Sequence, residues 1–332
     1  MNSDQLHTIL DAKTKPVGSM GRLETLAVHV AAVTGKTSPG KVNASLTIFA
    51  GDHGIAAEGV SAFPQEVTAQ MVTNFLQNGA AANAIANEFD IPVTVMDCGV
   101  KHLPAGTADL IDMRLGDGTA NCVERPAMAM ETAIRAIEQG RSYGASLEGN
   151  IVCLGEMGIA NTSSATLLAH KLSGIAIAEL VGRGTGIDDN GLRHKQGVLE
   201  RAAARVGLLT PIEALAEVGG FEIGTMAGTM IGAAENGKLV VVDGFIATAA
   251  SALARAIAPD SKSVMIYAHR SAEHGHATLL DWMDAKPLFD FGMRLGEGTG
   301  ALLAVPVIRA SLSLFGMASF SDAGVSGPAA GS

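Results

Sequence analysis

The stretch Asn150-Ile-Val-Cys-Leu-Gly-Glu-Met-Gly-Ile-Ala-Asn-Thr-Ser-Ser164 combines a short apolar run, a turn containing two glycines and four polar residues that commonly begin helices. Short apolar runs bounded by turn residues are typical of buried strands. The residues that follow, 165–172, have helical spacing. The stretch therefore predicts a strand that turns directly into a helix, which is the repeating unit of a parallel α/β sheet.

Similar apolar runs recur along the chain, most of them ending in Gly or Asp, and segments with helical spacing separate them. The predicted strands are 45–51, 92–97, 150–155, 239–243 and 263–268, and the predicted helices are 65–88, 128–140, 165–172, 192–206, 221–235 and 246–257. This alternation predicts a three-layer α/β domain with a mainly parallel sheet. Both chain ends have helical patterns without strands. We therefore expect a large α/β domain over 37–298 and a small helical domain formed by 1–36 and 299–332.

The composition suits a well-packed protein and disfavours several classes of function. Hydrophobic residues make up 48% of the 332 residues and charged residues 17%, so a large core is available and disorder is not expected. The net charge is −10 and no long run of Lys or Arg occurs, which disfavours nucleic-acid binding. A phosphate-bearing ligand would need local donors that act against this overall charge.

Cysteine usage and the apolar segments predict a cytoplasmic protein without a membrane segment. The three cysteines, Cys98, Cys122 and Cys153, are widely spaced and lack a CxxC pair. We expect them to be free and buried rather than paired or bound to zinc. Residues 1–15 carry charges before any long apolar run, unlike a signal peptide. The segment closest to a membrane span, 301–320, is interrupted by a proline and an arginine.

Ligands of parallel α/β sheets bind at the carboxyl ends of the strands. There, Gly155-Glu-Met-Gly-Ile-Ala-Asn-Thr162 turns at two glycines and begins a helix, whose N-terminal N–H groups attract anions. Two interpretations of this turn are equally open, a phosphate site and a capped helix start without a ligand.

A second glycine cluster, Gly182-Arg-Gly-Thr-Gly186, precedes Arg193-His-Lys195. Its third glycine comes one residue too early for the dinucleotide motif G-x-G-x-x-G, and no clear strand precedes it. Two interpretations remain open here as well, a loop beside a phosphate with Lys195 as its cation, and a surface turn.

The stretch Leu295-Gly-Glu-Gly-Thr-Gly300 places one carboxylate between two glycines ahead of an apolar helix. Glycine neighbours leave Glu297 free to project into a cleft. In a partly apolar cleft its pKa would rise, and the carboxylate could act as a base near neutral pH. The alternative is an exposed glutamate at a helix N-terminus, where the helix dipole favours negative charge.

Three further segments allow narrower predictions. Asp52 and His53 form an acid–base pair only if they lie in a loop, since adjacent side chains on a strand point to opposite faces. The histidines within 269–276 match no trusted zinc spacing, and a helix start explains them, so no metal is predicted. Asp243 ends an apolar run as in the diphosphate-dependent phosphoribosyltransferases, but Gly244 replaces their second acid, which argues against a diphosphate donor and its magnesium.

Taken together, these segments resemble the nicotinate-nucleotide–dimethylbenzimidazole phosphoribosyltransferase family, whose members act in the assembly of the lower ligand of cobalamin. The matching stretches occur in order along nearly the whole chain, and this order makes the resemblance specific. They are Lys15-Pro-Val-Gly-Ser-Met-Gly-Arg-Leu-Glu24, Gly51-Asp-His-Gly-Ile-Ala-Ala-Glu-Gly-Val-Ser-Ala-Phe-Pro64, Gly155-Glu-Met-Gly-Ile-Ala-Asn-Thr162, Val218-Gly-Gly-Phe221, Asp243-Gly-Phe245, Ser271-Ala-Glu273 and Met293-Arg-Leu-Gly-Glu-Gly-Thr-Gly300.

The resemblance implies a homodimer with a Rossmann-like large domain and a small helical domain, and no metal or cofactor. Its substrates would be small molecules. The implied reaction transfers the 5-phosphoribosyl group of nicotinate mononucleotide to 5,6-dimethylbenzimidazole or a related base, giving α-ribazole 5′-phosphate and nicotinate. Glu297 is implied as the catalytic base. The implied substrate-binding residues are Glu156, Met157, Gly158, Ile159, Ala160, Asn161, Thr162, Gly182, Gly184, Lys195, Phe63, Met71, Leu295 and Asp243.

The chain departs from the family pattern beside the acceptor base. Phe63 and Met71 stand where some members have polar residues. This change tightens an apolar pocket or relaxes the choice of base, and both outcomes are compatible with the same reaction.

Two other functions are compatible with the residues alone. A nicotinamide-dependent oxidoreductase on a Rossmann domain fits the glycine-rich strand ends, but the position of Gly186 counts against it. A non-catalytic nucleotide- or base-binding sensor would use the same pocket, and Glu297 would then only accept a hydrogen bond from the ligand.

Overall fold

The computed structural model describes residues 1–103, 107 and 109–326, so the last part of the predicted small domain, 327–332, lies outside the described residues. Six parallel strands form one sheet in the order β3-β2-β1-β4-β5-β6. The strands are β1 (Ala44–Gly51), β2 (Val93–Gly99), β3 (Leu110–Asp112), β4 (Ile151–Met157), β5 (Leu239–Val242) and β6 (Met265–Tyr267). The predicted α/β class with a mainly parallel sheet is confirmed.

Helices connect the strands and also form both ends of the described chain. They are α1 (Ser3–Asp11), α2 (Arg22–Thr34), α3 (Val67–Leu76), α4 (Ala81–Glu88), α5 (Met130–Ser146), α6 (Asn161–Ser173), α7 (Ile177–Leu180), α8 (Asp189–Ala204), α9 (Pro211–Val218), α10 (Phe221–Glu235), α11 (Phe245–Ile257), α12 (His276–Trp282) and α13 (Thr299–Leu312).

Alternate side chains of the central strands enter two different cores. Phe49 and Leu154 belong to the core that contains α5, α6, α10 and α11, whereas Ile48 and Cys153 belong to the core that contains α2, α3 and α13. This alternation follows from the two-residue repeat of a strand. Helices therefore cover both faces of the sheet, which is the predicted three-layer arrangement.

The helices of both chain ends share one core with the sheet. Leu10 of α1, Val30 of α2 and Ile308 of α13 are fully buried in the same cluster as Leu46 of β1. The two ends are also linked through the backbone, where Thr14 N donates a hydrogen bond of 3.1 Å to the Ala318 carbonyl. The division into a large and a small domain remains a prediction.

Two predicted elements are divided or shortened in the structure. The helix predicted over 65–88 is divided into α3 and α4, because Asn78 adopts a left-handed conformation with φ of 58°. In the strand predicted over 263–268, the first residues instead belong to the 3₁₀ helix Pro259–Val264, and only three residues remain as β6.

Three short helices and one short strand lie outside the predicted elements. They are α7, α9, α12 and β3.

One helical segment in the described part of the chain, Thr299–Gly316, is long and apolar enough to span a bilayer. It comprises α13 and the turn after it, and 61% of it is buried within the protein. Its apolar residues pack against α2, α4 and the sheet.

Candidate active site

A cleft of about 470 Å³ opens beside the carboxyl end of β4. The strand order reverses direction between β1 and β4, and such a reversal is where ligands bind in open α/β sheets. The cleft is lined by Phe63, Glu156, Met157, Gly158, Ile159, Asn161, Thr162, Gly184, Thr185, Gly244, Phe245, Ile246, Ser271, Glu273, Arg294, Leu295, Gly296 and Glu297.

Glu297 lies in the cleft wall and is only 7% exposed. Its Oε2 accepts a hydrogen bond of 3.2 Å from Ala82 N, in the first turn of α4. Burial raises the pKa of this carboxyl, and the Ala82 bond partly opposes that rise. Of the two arrangements open from the sequence, the buried carboxylate facing a cleft is the observed one.

Glycines allow the loop that carries Glu297 to lie directly on β4. A side chain at Gly155 would overlap the Glu297 carbonyl, and a side chain at Gly296 would overlap the carboxylate of Glu156. Gly298 adopts φ of 87°, a conformation that favours glycine. The two glutamates are therefore brought to the same end of the cleft by backbone contacts that larger residues would prevent.

Glu156 is the penultimate residue of β4, and its buried side chain lines the cleft. Desolvation raises its pKa to about 7, despite a hydrogen bond that its Oε2 accepts from Asn161 Nδ2. The nearby carboxylates of Glu222 and Glu297 add to this rise, and His53 opposes it. The group therefore changes its ionisation near neutral pH.

The turn after β4 has the predicted strand–turn–helix form. Ala160 adopts φ of 73°, and α6 begins at the next residue, Asn161. Ile159 N is held by the Thr68 hydroxyl at 3.1 Å. The N-terminus of α6 thereby opens into the cleft, where its dipole favours an anion.

The second glycine cluster meets this helix through a buried lysine. Lys195 is fully buried, and its Nζ donates hydrogen bonds to Thr162 Oγ1 at 2.8 Å and to the Gly182 carbonyl at 3.2 Å. Burial lowers the pKa of Lys195 to about 8, and Glu273 opposes this effect. Gly184 N donates to Glu273 Oε1 at 3.0 Å. The structure thus brings the predicted Lys195, Thr162, Gly182 and Gly184 together.

Apolar side chains form the opposite, more open side of the cleft. Phe63 is 52% exposed and Leu295 is 45% exposed. Met71 belongs to α3 and packs against the core beneath the sheet rather than lining the cleft. The remaining predicted residues outside the lining are Ala160, Gly182, Lys195 and Asp243.

Asp243 lies behind the cleft wall and is 1% exposed. Its Oδ1 accepts a hydrogen bond of 2.9 Å from Ala301 N in the first turn of α13. Burial raises its pKa well above the ordinary value. Its direct partner in the structure is therefore the helix that follows Glu297.

A buried histidine lies beneath the cleft, just after β1. His53 Nε2 lies 2.7 Å from Glu222 Oε1, and His53 Nδ1 lies 2.8 Å from Ser164 Oγ. The side chains of His53 and Glu222 are fully buried. Its neighbour Asp52 instead accepts a hydrogen bond from Lys101 N at 2.8 Å, so the two adjacent residues do not form one acid–base pair.

Several cleft residues lie outside the predicted set. They are Thr185, Gly244, Phe245, Ile246, Ser271, Glu273, Arg294 and Gly296. Arg294 Nη1 donates to the Gly184 carbonyl at 3.0 Å, which places a second cation beside the glycine cluster. Six of these cleft residues occur in the quoted family stretches, and those stretches are the signal from which they could have been found: Gly244, Phe245, Ser271, Glu273, Arg294 and Gly296.

No group of three or more His, Cys, Asp or Glu side chains arranged to hold a metal ion is found within residues 1–103, 107 and 109–326. The histidine segment instead begins α12, where His276 Nδ1 accepts a hydrogen bond of 2.8 Å from Ser271 N.

The chain is similar to phosphoribosyltransferases over nearly its whole length. A family model described as phosphoribosyltransferase matches residues 2–325. The nicotinate-nucleotide–dimethylbenzimidazole phosphoribosyltransferase of Aromatoleum aromaticum is 46% identical over 95% of this chain and 93% of its own length. The enzyme of the same name from Shewanella sp. (strain W3-18-1) is 46% identical over 95% of this chain and 92% of its own.

The comparison with solved structures indicates the same family. A crystal structure of CobT from Thermus thermophilus superposes with a TM-score of 0.94 at 40% identity, covering 98% of this chain and 99% of that chain. The match of family, sequence and fold over almost all of the chain is decisive, and the chain belongs to the nicotinate-nucleotide–dimethylbenzimidazole phosphoribosyltransferase family.

Proposed function

We propose that this protein transfers the 5-phosphoribosyl group of nicotinate mononucleotide to 5,6-dimethylbenzimidazole or a related base in the synthesis of the cobalamin lower ligand. The observation that carries this proposal is the buried carboxylate of Glu297, which faces the same cleft as the N-terminus of α6. The family assignment favours this function over an oxidoreductase and over a non-catalytic sensor.

The donor phosphate would bind where α6, the Gly182–Gly184 loop and Lys195 meet. The α6 dipole and the buried ammonium both attract an anion, and the cleft is otherwise rich in carboxylates. Lys195 has no carboxylate within hydrogen-bonding distance among the described residues, and its pKa is lowered to about 8. A bound phosphate would supply the missing negative charge and stabilise the protonated lysine.

The reaction would exchange one bond to nitrogen for another at the ribose C1′. The bond to the nicotinate ring nitrogen breaks, and its electron pair returns to that nitrogen, which becomes neutral. A ring nitrogen of the acceptor base donates its lone pair to C1′ from the opposite face. Attack from that face converts the β-linked donor into an α-linked product.

The acceptor base becomes positively charged when its nitrogen forms this bond, and the proton on its other nitrogen must leave. Glu297 is proposed to accept that proton. Its raised pKa makes the carboxylate a stronger base than an exposed glutamate, and it is fixed through Ala82 N before the substrate binds. No other step of the proposed transfer requires the Glu297 carboxylate.

Glu156 is proposed to act on the sugar side of the same reaction. Positive charge develops on the ribose while the bond to nicotinate breaks, and a buried carboxylate stabilises that charge more strongly than one in water. This role requires the ionised form, so activity should fall as the pH decreases through the pKa of about 7.

The acceptor base would lie between Phe63 and Leu295, whose exposed apolar surfaces face the cleft. Aromatic and aliphatic side chains bury a flat heterocycle effectively. A direct contact with Met71 would require the base to reach beyond the present lining of the cleft.

We further propose a cytoplasmic homodimer with the two-domain division expected from the sequence. Free cysteines support a reducing compartment, since Cys98, Cys122 and Cys153 are all buried and unpaired. The exposed apolar side chains of Val17 and Phe291 support an interface with a second copy of the chain. Sedimentation at the mass of one chain would contradict the dimer.

The proposed activity can be tested by incubating the protein with nicotinate mononucleotide and 5,6-dimethylbenzimidazole and separating the products by chromatography. We expect nicotinate and α-ribazole 5′-phosphate in equal amounts. Glu297→Gln should lower turnover about 10²-fold or more, the usual contribution of a general base, and should leave donor binding nearly unchanged.

Lys195→Gln provides the matched variant on the donor side. It should weaken binding of nicotinate mononucleotide about tenfold or more in a calorimetric titration, because the buried positive charge behind Thr162 and the proposed phosphate site is lost. Binding of both ligands without release of nicotinate would indicate a sensor. Full turnover by Glu297→Gln would remove this residue from the mechanism.

A further inference from the structure

His53 connects three elements beneath the cleft. It follows β1, contacts Ser164 in α6 through Nδ1 and contacts Glu222 in α10 through Nε2, at 2.8 and 2.7 Å. Ser164 lies two residues after Thr162, which is bound to Lys195. The imidazole is therefore joined to the helix that forms the proposed phosphate site.

The surroundings of His53 carry an excess of carboxyl groups. Asp52 adjoins it on the chain, Glu222 contacts it from α10, and Glu156 acts on it from β4. Glu156 is in turn influenced by Glu297 from the loop before α13 and acts on Asp243 beyond β5. Of the described groups with the largest effects on the pKa of Glu156, His53 is the one that can carry positive charge.

Glycine backbone packs closely against His53 and Glu222. A side chain at Gly220 would overlap the His53 ring, and one at Gly51 would come within 2.9 Å of Glu222 Oε2. Neither His53 nor Glu222 has exposed surface. Water therefore cannot replace His53 as the partner of Glu222 without a rearrangement.

We propose that His53 is a positioning residue of the transfer reaction, which as an imidazolium paired with Glu222 offsets the negative charge around Glu156 and holds the first turn of α6. The inference rests on the proposed function, because it concerns the same cleft. His53 does not line the cleft and would touch no substrate.

The hydrogen bonds fit a protonated ring. As an imidazolium, His53 donates from Nε2 to Glu222 and from Nδ1 to Ser164 Oγ. The neighbouring carboxylates raise the pKa of His53 despite its complete burial. A neutral ring would leave three acidic side chains in one buried cluster without a balancing charge, and Glu156 would then retain its proton to higher pH.

The test is the pH dependence of kcat/KM for nicotinate mononucleotide between pH 5 and 9. In the wild type we expect the acidic limb to lie near the pKa of Glu156, about 7. His53→Gln removes the positive charge between Glu222 and Glu156, so the limb should move up by about one pH unit, and kcat/KM at pH 7 should fall about fivefold. His53→Gln/Glu222→Gln removes both charges and should return the limb towards its wild-type position.

Ser164→Ala is the control without a change of charge. It breaks one hydrogen bond of the ring and should leave the position of the limb unchanged. A merely structural role for His53 would reduce activity in all three variants without moving the limb, and that result would overturn the inference. The inference would also be overturned if the acidic limb of the double variant were displaced as far as that of His53→Gln.

A second measurement covers the case in which His53→Gln does not fold. The ring-nitrogen NMR signals of ¹⁵N-histidine-labelled wild-type protein report directly whether each histidine is protonated, and the signal perturbed by Ser164→Ala identifies His53. A neutral His53 at pH 7 would overturn the inference. Absence of α-ribazole 5′-phosphate from the wild-type reaction would instead reject the proposed function, so the two failures are distinguishable.

Discussion

Two acidic residues in nearly identical sequences have opposite surroundings. Asp117 lies in Met113-Arg-Leu-Gly-Asp-Gly-Thr119, and Glu297 lies in Met293-Arg-Leu-Gly-Glu-Gly-Thr299. The Asp117 side chain is 76% exposed and pairs with Arg114 at 2.5 Å, whereas Glu297 is 7% exposed. Local sequence alone therefore does not decide whether such a carboxylate is buried. The decisive contact for Glu297 is with β4, more than a hundred residues earlier in the chain.

The difference between local sequence and contacts distant in sequence also explains which site residues could be predicted. Glycine neighbours indicated that Glu297 can project into a cleft, and the turn after β4 was compatible with an anion site as well as with a capped helix start. The partner of Arg294 could not be predicted from its neighbours, because it is the carbonyl of Gly184, 110 residues away in sequence. The hydrogen bond from Ala82 N to Glu297 joins residues that are 215 apart in sequence, so no local sequence pattern could indicate it.

Asp243 is expected to act on Glu297 through α13 rather than on the substrate. Asp243→Ala removes the acceptor for Ala301 N, so we expect the free energy of unfolding to fall by about 1–2 kcal/mol, as for other lost helix caps. Turnover should also fall, because the loop that carries Glu297 precedes this helix. Donor affinity should be retained. Steady-state kinetics and urea denaturation of the same variant test both effects.

Asp243→Asn is the matched variant. Its amide oxygen can still accept from Ala301 N, so turnover and stability should stay close to those of the wild type. A large rise in KM for nicotinate mononucleotide in both variants, with kcat unchanged, would instead indicate that Asp243 contacts the donor directly.

At the scale of elements, the break between α3 and α4 has a direct consequence for the site. A continuous helix over 65–88 would use the N–H of Ala82 in its own hydrogen-bonding ladder. Because α4 begins at Ala81, Ala82 N is free to bond Glu297. The apolar periodicity predicted helix on both sides, but the left-handed residue Asn78 interrupts it, and periodicity does not report such a break.

Four of the predicted strands agree with β1, β2, β4 and β5 to within two residues, because a buried parallel strand is apolar on both faces, whereas only part of 263–268 forms β6. The edge strand β3 was missed because it has three residues, of which none is fully buried. Helix α9 was missed although Thr210, Pro211 and Glu213 form a capped start, since its eight residues are too short for a clear period.

Helices α5 and α10 pack through backbone contacts made possible by glycines. A side chain at Gly228 would overlap the carbonyl of Ile137, and one at Gly232 would overlap the carbonyl of Arg141. We expect Gly228→Ala to lower the free energy of unfolding by about 1–3 kcal/mol, the usual cost of overpacking, because the two helices must separate. Thermal and urea denaturation measure the change.

Gly197→Ala is the control for helix propensity. Gly197 lies within α8, and a side chain there meets nothing within 4 Å. The replacement should raise the free energy of unfolding by about 0.5–1 kcal/mol, because alanine favours the helix. Equal and positive changes in both variants would show that α5 and α10 tolerate a wider separation.

At the scale of the whole molecule, the cleft and its surroundings concentrate buried carboxyl groups within a protein that is already acidic. The net charge is −10, and Asp52, Glu156, Asp243 and Glu297 all have pKa values raised by burial. Each of these groups binds its proton more tightly in the folded state than in the unfolded chain. The protonated groups therefore favour the folded state. This favourable contribution to the free energy of unfolding is lost as the pH rises and the groups ionise.

Other groups act in different pH ranges. His53, with a raised pKa, also loses its stabilising effect as the pH rises above 6.5. The pKa of His276 is lowered to about 3, so this group adds stability as the pH rises from about 3 to 6.5. The pKa of Lys195 is lowered to about 8, so it adds stability only above that pH. A comparison of two variants at each pH removes most of these shared effects.

Glu156→Gln should therefore be more stable than the wild type, and increasingly so at higher pH. Raising a pKa from 4.5 to about 7 corresponds to a folding cost of about 3 kcal/mol for the ionised group, at about 1.4 kcal/mol per pKa unit. The advantage of the variant should be about 1 kcal/mol at pH 5.5 and about 3 kcal/mol at pH 8, measured by urea denaturation. Glu138→Gln, on the exposed face of α5, should show no such trend.

The same Glu156→Gln variant should lose most of its turnover at pH 8, where the wild-type carboxylate is ionised. Gain of stability together with loss of activity is expected when a buried charge is kept for catalysis rather than for folding. If Glu156→Gln were instead less stable than the wild type at pH 8, the carboxylate would be part of a favourable network. The burial cost assigned to the cleft would then be wrong, and so would the need for His53 to offset it.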